Sequence, residues 1–498
     1  LKVLLVYPTY PDTFWSFKHI LGLASKRAGF PPLGLVTVAA MLPGDWEKRL
    51  IDMNVASLHD EDIRWADYVF ISAMVIQRRS SEEVIRRCNE LKTKVVAGGP
   101  LFTVSYDEFE GVDHFVLNEA EVTLPSFLRD LESGSAKHIY SSMERPDIAA
   151  TPVPLWELLG MKRYASMSVQ YSRGCPFNCE FCDIPFLNGH KPRTKGADQL
   201  VEELESLYRP GWRGNVFIVD DNFIGNKRKL KEEVLPALIG WSEARGYPFT
   251  FNTEASVNLA DDEELMQLMV RAGFRTVFVG IETPDEESLA ECGKFQNKGR
   301  DLVATVRAIQ NQGLQVQGGF IVGFDSDPPS IFERQIEFIQ RSGIVTAMVG
   351  LLNAPRGSRL YERLKDEGRL LKDPSGDNMD FSTNFMPKMD WGILIDGYKR
   401  ILDTIYSPRN YYERVRTFLR EYRPPQWGRQ IVLRPLHLWV ALKALWALGF
   451  KAEGRKHFWR SLVSTLLKYP RSLPEFFTVA LYGLHFRKVA ERGSAGPG

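Results

Sequence analysis

The chain is poor in cysteine, with five in 498 residues, and that scarcity excludes a disulfide framework as its source of stability. It also lacks an excess of charge of either sign. Lys and Arg number 63 against 62 Asp and Glu, a formal net charge of +1. No global basic field is present to attract a polyanion, so nucleic acid is not expected as a partner. No apolar run reaches the roughly 18 residues needed to span a bilayer. The opening L-K-V-L-L-V-Y-P runs straight into a strand-like pattern, without the charged, apolar and small-residue segments of a secretory leader. A cytoplasmic location with reduced thiols is expected.

What is there describes a globular chain: 44% apolar and 25% charged residues. Its length exceeds one ordinary core, so two or three domains are expected. Three of the five cysteines fall in residues 172–183, S-R-G-C-P-F-N-C-E-F-C-D. Cys175, Cys179 and Cys182 are separated by three and then two residues. Thiolates this close suit the corners of a metal site or an iron–sulfur cube, the alternative being three buried core thiols. A zinc ribbon would add a second Cys or His pair. Here His190 stands alone, and Cys88 and Cys292 have no partner nearby in sequence. Three ligands leave one corner of a four-iron cluster open to a substrate or cofactor.

The C-x3-C-x2-C spacing, with Phe181 directly before the last cysteine, closely resembles the signature of radical S-adenosylmethionine (SAM) enzymes. The resemblance implies that the three cysteines hold a [4Fe–4S] cluster whose fourth iron is chelated by the amino and carboxylate groups of SAM. It also implies reductive cleavage to a 5′-deoxyadenosyl radical, and backbone near Phe181 against the adenine.

Residues 1–135 alternate strand and helix patterns. Leu1–Tyr7, Arg49–Asp52, Tyr68–Ala73, Val95–Ala97 and Phe115–Leu117 read as buried parallel strands. Leu33–Leu42, Ser81–Leu91 and Glu121–Leu131 read as the helices between them. The pattern is that of a doubly wound sheet with its ligand site at the strands' carboxyl ends. Ser72, the Gly98–Gly99 pair and Asn118–Glu119 occupy those ends, ordinary tight turns being the alternative. This region resembles the cobalamin-binding domain that precedes the barrel in one radical SAM subclass. The resemblance implies that Ser72 and the Gly98–Gly99 turn sit against the corrin ring or its nucleotide tail. The D-x-H-x-x-G signature of a cobalt-binding histidine is absent, so His114 is expected to be a satisfied sheet-end residue. Residues 136–165, spaced by Pro146, Pro152 and Pro154, read as a stiff linker with Leu155, Trp156 and Leu159 to bury.

From residue 166 to 370 six further strand–helix units are expected. The strands are Met167–Ser172, Asn215–Val219, Thr250–Glu254, Thr276–Ile281, Gln317–Val322 and Thr346–Leu352. The helices are Ala197–Tyr208, Lys227–Arg245, Asp261–Ala272, Lys298–Gln312 and Pro329–Arg341. Six units suit the open barrel of radical SAM enzymes, with catalysis at the strands' carboxyl ends. There Asp220, Asp221 and Asn222 occupy the place of the family's Gly-Gly-Glu turn, which receives SAM's amino group; an N-cap with a solvated acid is the alternative. Glu254 and Glu282 end the third and fourth strands, where the resemblance implies SAM ribose or methionine contacts. Gly319, Ile321 and Gly323 match the family's G-x-I-x-G element beside the adenine, with Asp325 standing in for its acidic residue.

Residues 371–498 read as helices: Trp391–Ile405, Asn410–Glu421, Pro435–Leu448, Phe458–Lys468 and Leu473–Val489. Their Trp, Phe and Arg residues suit a core, with a membrane surface as the alternative. The three regions together resemble cobalamin-dependent radical SAM enzymes. The motifs K-P-R-T-K, V-D-D-N-F-I-G-N-K and V-G-L-L-N-A-P-R-G are most similar to the subgroup containing the hopanoid C-2 methylase. The resemblance implies C-methylation of an unactivated carbon in a lipid-like substrate, with methylcobalamin as methyl donor. It also implies an electron donor such as flavodoxin or ferredoxin, and peripheral contact with the inner membrane face. A cyclising or rearranging radical enzyme and a cobalamin-binding sensor are the alternatives.

Overall fold

The computed structural model describes residues 1–425 and 435–494. Residues 426–434 and 495–498, within the expected helical region, lie outside the described residues. The α/β architecture is as expected. A first sheet contains six parallel strands: β1 (Lys2–Tyr7), β2 (Glu47–Asp52), β3 (Tyr68–Ser72), β4 (Lys94–Gly98), β5 (His114–Val116) and β6 (Ile139–Tyr140). Its order, β2-β1-β3-β4-β5-β6, reverses direction beside β1. That reversal opens a crevice at the carboxyl ends of β1 and β3. Helices α1 (Leu33–Met41), α2 (Arg78–Glu90) and α3 (Ala120–Glu132) cover the two faces. Strand β6 falls within the segment 136–165, which the sequence alone presents as linker. Two residues are too short to show a period, and pairing with β5 alone makes them a strand. Beyond it Trp156 is buried as expected and donates from Nε1 to Ser206 Oγ at 2.9 Å.

The second sheet contains β7 (Ser166–Val169), and after it come the short antiparallel pair β8 (Ser172–Arg173) and β9 (Arg193–Thr194). It continues with β10 (Gly214–Ile218), β11 (Phe249–Ala255), β12 (Phe274–Glu282), β13 (Gln315–Val322) and β14 (Ala347–Leu351). Its six parallel strands are neighbours in chain order from β7 to β14 and curl into a half barrel. Along β11, Phe249, Phe251, Thr253 and Ala255 are buried under the helices. Asn252 and Glu254 take the alternate, partly open positions facing the lumen.

The outer helices are α4 (Ala197–Tyr208), α5 (Leu235–Ala244), α6 (Glu263–Ala272), α7 (Leu302–Asn311) and α8 (Ile331–Ser342). The expected helix from Lys227 is continuous in direction but widens to a π-turn over Leu230–Val234. Pro236, which has no N–H to give the preceding turn, follows it directly. Helix α7 starts four residues after its expected position. Gly299 takes a left-handed φ of 67°, and the Asp301 carboxylate caps the Ala304 N–H instead.

After α9 (Arg359–Asp366), helices α10 (Trp391–Tyr406), α11 (Pro408–Glu421), α12 (Pro435–Trp446), α13 (Arg455–Lys468) and α14 (Leu473–Ser494) complete the chain. They share one core with the barrel. Tyr398 and Tyr406 donate their hydroxyls to the Val349 and Ala347 carbonyls, at 3.0 and 2.6 Å. These bonds cover the outer edge of β14. The aromatic residues of this region divide. Phe476 and Phe486 are wholly buried, whereas Trp439, Trp446, Phe450 and Trp459 are exposed.

Candidate functional site

The cysteine loop leaves β8 through Gly174, whose φ is 96°. A Cβ there would lie 2.9 Å from both the Gly189 and Lys191 carbonyl oxygens, so only glycine fits. Asp221 accepts the Gly174 N–H at 2.7 Å and bonds Asn188 Nδ2 at 2.9 Å, tying both ends of the loop together. On the other side the Glu180 N–H donates to the Cys292 carbonyl at 2.8 Å. The Glu180 carboxylate meets Arg363 at 2.7 Å.

Burial pushes the Cys175, Cys179 and Cys182 thiols up. Each becomes an anionic ligand only against a compensating positive charge. Burial pushes Cys88 and Cys292 up in the same direction, and Cys292 also feels the Cys179 and Lys294 charges, so the shift by itself does not single out the triad. Each of the three feels the charge of at least one of the others, or of Lys294 beside it. Among the described residues the three thiols do not lie within the 4.8 Å that one shared ion would require. A single zinc with bonds of about 2.3 Å would draw them closer. The chemistry of the donor set, three thiols in one loop that need compensating positive charge, suits an iron–sulfur cube.

The remaining strand ends take distinct roles. Asp220 is buried and turned away from the lumen, accepting the Tyr171 N–H at 2.8 Å and the Ser172 hydroxyl at 2.6 Å. Burial pushes it up to about 7. Asn222 accepts the Ser256 N–H at 3.2 Å. Asp220, Asp221 and Asn222 therefore clasp the β7–β8 connection, the cysteine loop and the residue after β11, a task invisible in sequence because the partners are backbone N–H groups and the Ser172 and Asn188 side chains brought in by folding. Glu254 is different: it has no hydrogen bond or ion pair among the described residues. Burial, and then the Asp221 and Asp220 charges, push it up to about 7. Glu282 has a left-handed φ of 64° and pairs with Lys294 Nζ at 2.6 Å, beside the thiols. Sequence reasoning missed Lys294, whose place is set by the turn after β12.

Gly319 faces the lumen, where a Cβ would lie 2.8 Å from the Phe278 ring. Phe181 packs near Ile321, with its ring 6.2 Å from that of Phe324. Asp325 is occupied by Arg363 and Arg369 at 3.0 and 2.6 Å. Asp327, not Asp325, receives the Gly323 and Phe324 N–H groups, at 2.8 and 3.1 Å.

A cavity of about 610 Å³ joins the two sheets. Ser72, Gly98, Gly99, Asn118 and Glu119 line it from the first sheet, and Gln170, Arg173, Asn188 and Asp221 from the second. The two glycines are explained by packing: a Cβ on Gly98 would meet the Val116 carbonyl at 2.6 Å, and one on Gly99 the Ser72 Oγ at 2.5 Å. Glu119 is closed by protein, with Arg173 at 2.9 Å and Arg193 at 2.7 Å. Asn118 accepts the Ser141 hydroxyl at 2.9 Å. No histidine is among the lining residues, and His114 Nδ1 lies 2.7 Å from the Lys137 carbonyl oxygen at the sheet's far end. An apolar wall of Leu33, Val38 and Phe70 under a polar rim fits a large, flat, amide-bearing group such as cobalamin.

Comparisons with known proteins agree with this layout. Residues 22–128 match a model described as a B12 binding domain, and residues 169–339 the radical SAM superfamily. Residues 358–496 match a domain of unknown function (DUF4070). The chain is 42% identical to an uncharacterised methyltransferase of Synechocystis sp., over 99% of this chain and 92% of that protein. It is 32% identical to the hopanoid C-2 methylase of Rhodopseudomonas palustris, over 99% and 95%. The solved structure of OxsB, a cobalamin-dependent S-adenosylmethionine radical enzyme with aqua-cobalamin bound, superposes with a TM-score of 0.65 at 14% identity. That match covers 99% of this chain and 80% of OxsB, a likeness of fold.

Proposed function

The chain belongs to the cobalamin-dependent radical SAM methyltransferases, and we propose that it C-methylates an unactivated carbon of an apolar, hopanoid- or isoprenoid-like acceptor. The observation that carries this reading is the shared cavity, whose two walls are the ends of the first sheet and the cysteine loop. When bound, the [4Fe–4S] cluster, SAM and cobalamin supply a 5′-deoxyadenosyl radical and a transferable methyl group. Cys175, Cys179 and Cys182 hold the cluster in a loop fixed by Gly174 and Asp221. Glu254, Glu282, Gly319, Ile321 and Gly323, with Phe181, flank SAM at the barrel mouth, while Asp220 and Asn222 keep that mouth in shape. Ser72, Asn118 and the Gly98–Gly99 turn face the cobalamin side. The cavity would take cobalamin between the two sheets, with Ile184, Leu187, Asn188 and Asp221 on its barrel side, and residues that hold the cofactors near one another would orient the reacting groups. An electron donor of the flavodoxin or ferredoxin type docks over the outer face of the cysteine loop, where Phe177, Phe295 and Arg359 border an open cleft.

Two observations support the lipid class of acceptor. One is the identity with the hopanoid C-2 methylase. The other is the exposed face of α12 and the turn after it, where Trp446 and Phe450 are each 58% exposed. Lys443 Nζ lies 3.2 Å over the Trp439 ring, and Lys451 flanks Trp446. An apolar face rimmed with lysine suits the headgroup layer of an anionic membrane. No helix of the described residues is long and apolar enough to cross a membrane.

Anaerobic turnover with SAM labelled in its methyl group and a bacterial lipid extract tests the proposal. A labelled apolar product, formed with both S-adenosylhomocysteine and 5′-deoxyadenosine, is expected. Deoxyadenosine without S-adenosylhomocysteine would instead indicate rearrangement, and methylation of a polar acceptor alone would overturn the lipid assignment.

A further inference from the structure

A second set of metal-ligating side chains comes together where early and late segments of the chain meet, away from the cysteine loop. Asp12 and His19 flank the short helical turn Phe14–Ser16, and His485 lies on α14. One ligand atom from each residue lies within 4.8 Å of the other two. His19 Nε2 is 2.8 Å from Asp12 Oδ2, and the His19 and His485 rings stand 5.4 Å apart.

His485 is wholly buried, with Nε2 2.9 Å from the Phe14 carbonyl oxygen. A carbonyl only accepts, so Nε2 carries the proton and Nδ1 keeps a bare lone pair. That Nδ1 is buried and makes no hydrogen bond. An imidazole oriented through one nitrogen by a backbone carbonyl, with its other nitrogen unpartnered, is the arrangement that second-shell bonds give a metal-binding histidine. The carboxylate is oriented too, because Asp12 Oδ1 accepts the Ser16 hydroxyl at 2.8 Å.

We propose that Asp12, His19 and His485 form a binding site for one divalent transition-metal ion, zinc being the best match, separate from the iron–sulfur cluster. Two imidazoles and one carboxylate favour zinc-like ions over magnesium or calcium, which take all-oxygen sets. Three protein ligands leave the fourth tetrahedral position to water. The Asp12 and His19 side chains are 17% and 14% exposed, enough for an ion to enter from solvent. The ion would fasten α14 to the segment that seats Phe14 against Phe486, at 4.1 Å, and Trp15 against Phe278 of β12, at 5.3 Å.

The test uses the full-length chain with Cys175, Cys179 and Cys182 replaced by Ala, titrated with Co(II). One Co(II) per chain is expected, with the visible bands of a low-coordinate ion, displaced by equimolar zinc. His19→Ala and Asp12→Ala, both at the site's open edge, should weaken binding by about 100-fold or more and abolish the zinc-dependent rise in Tm. Should the cysteine variant fail to fold, zinc is counted in the reconstituted holoenzyme after dialysis against a weak chelator. One zinc per chain is expected there, and His19→Ala should lose it. A folded protein that binds no Co(II) or zinc, or His19→Ala binding as tightly as the parent, overturns the site.

Discussion

At position 174 the backbone leaves room for a hydrogen and nothing more. Gly174→Ala should keep the overall fold but lower the iron bound after anaerobic reconstitution severalfold, as read by iron analysis beside circular dichroism. Asp327 gives a pH prediction. Burial, only partly offset by the bonds from Ser288, Gly323 and Phe324, raises it from 3.8 to about 6. Between those values the folded protein keeps a proton that the unfolded chain has released. This group's contribution is therefore most favourable below about pH 4 and declines as pH rises to about 6, by about 3 kcal/mol in all. Asp327→Asn, which retains an acceptor for the two N–H groups, should flatten that part of the stability-against-pH curve measured by urea unfolding. Glu254→Gln should leave iron content unchanged and raise the KM for SAM about tenfold, a loss of about 1.4 kcal/mol. The cysteines were legible because their chemistry is written in spacing. Asp220 and Asp327 were not, because what defines each is a set of backbone N–H groups or hydroxyls brought in by folding.

Elements were legible wherever period and length agreed. All five expected strands of the first sheet and all six of the barrel are present, shifted by a few residues at their ends. Two-residue strands such as β6, β8 and β9 carry no period, yet β8 and β9 frame the cysteine loop. The packing of α11 also escaped the sequence, since it turns on one buried cation. Arg414 is wholly buried and donates to the Gln340 side chain and the Ile405 and Val345 carbonyls, at 2.5, 2.9 and 3.3 Å. Its guanidinium binds acceptors on α8, on α10 and beside β14, which no periodicity reveals. Arg414→Met should leave those acceptors unpaired and cost about 3 kcal/mol of stability, measurable as a lower urea midpoint at unchanged secondary structure.

For the whole molecule, the decisive contact lies between the two sheets. Glu119 and Glu121, after β5, meet Arg173 and Arg193 of the β8–β9 pair. Burial raises the Glu121 carboxyl, but the bonds and charge of Arg173 outweigh it and hold it below the ordinary range. Glu119→Ala should strand buried arginines at a cost of about 3–5 kcal/mol. The expected result is one calorimetric transition in the parent and two in the variant, as the sheets uncouple. Sequence placed Glu119 at a strand end but could not show that the other domain would occupy it. The stacking of Phe14 on Phe486 has a consequence for biosynthesis. Those partners stand 472 positions apart, and at roughly 5–20 residues per second the ribosome needs about half a minute or more to join them. Until α14 emerges Phe14 lacks the ring it stacks on, so the first residues of the chain are joined to the last helix only after every strand of the barrel has been made.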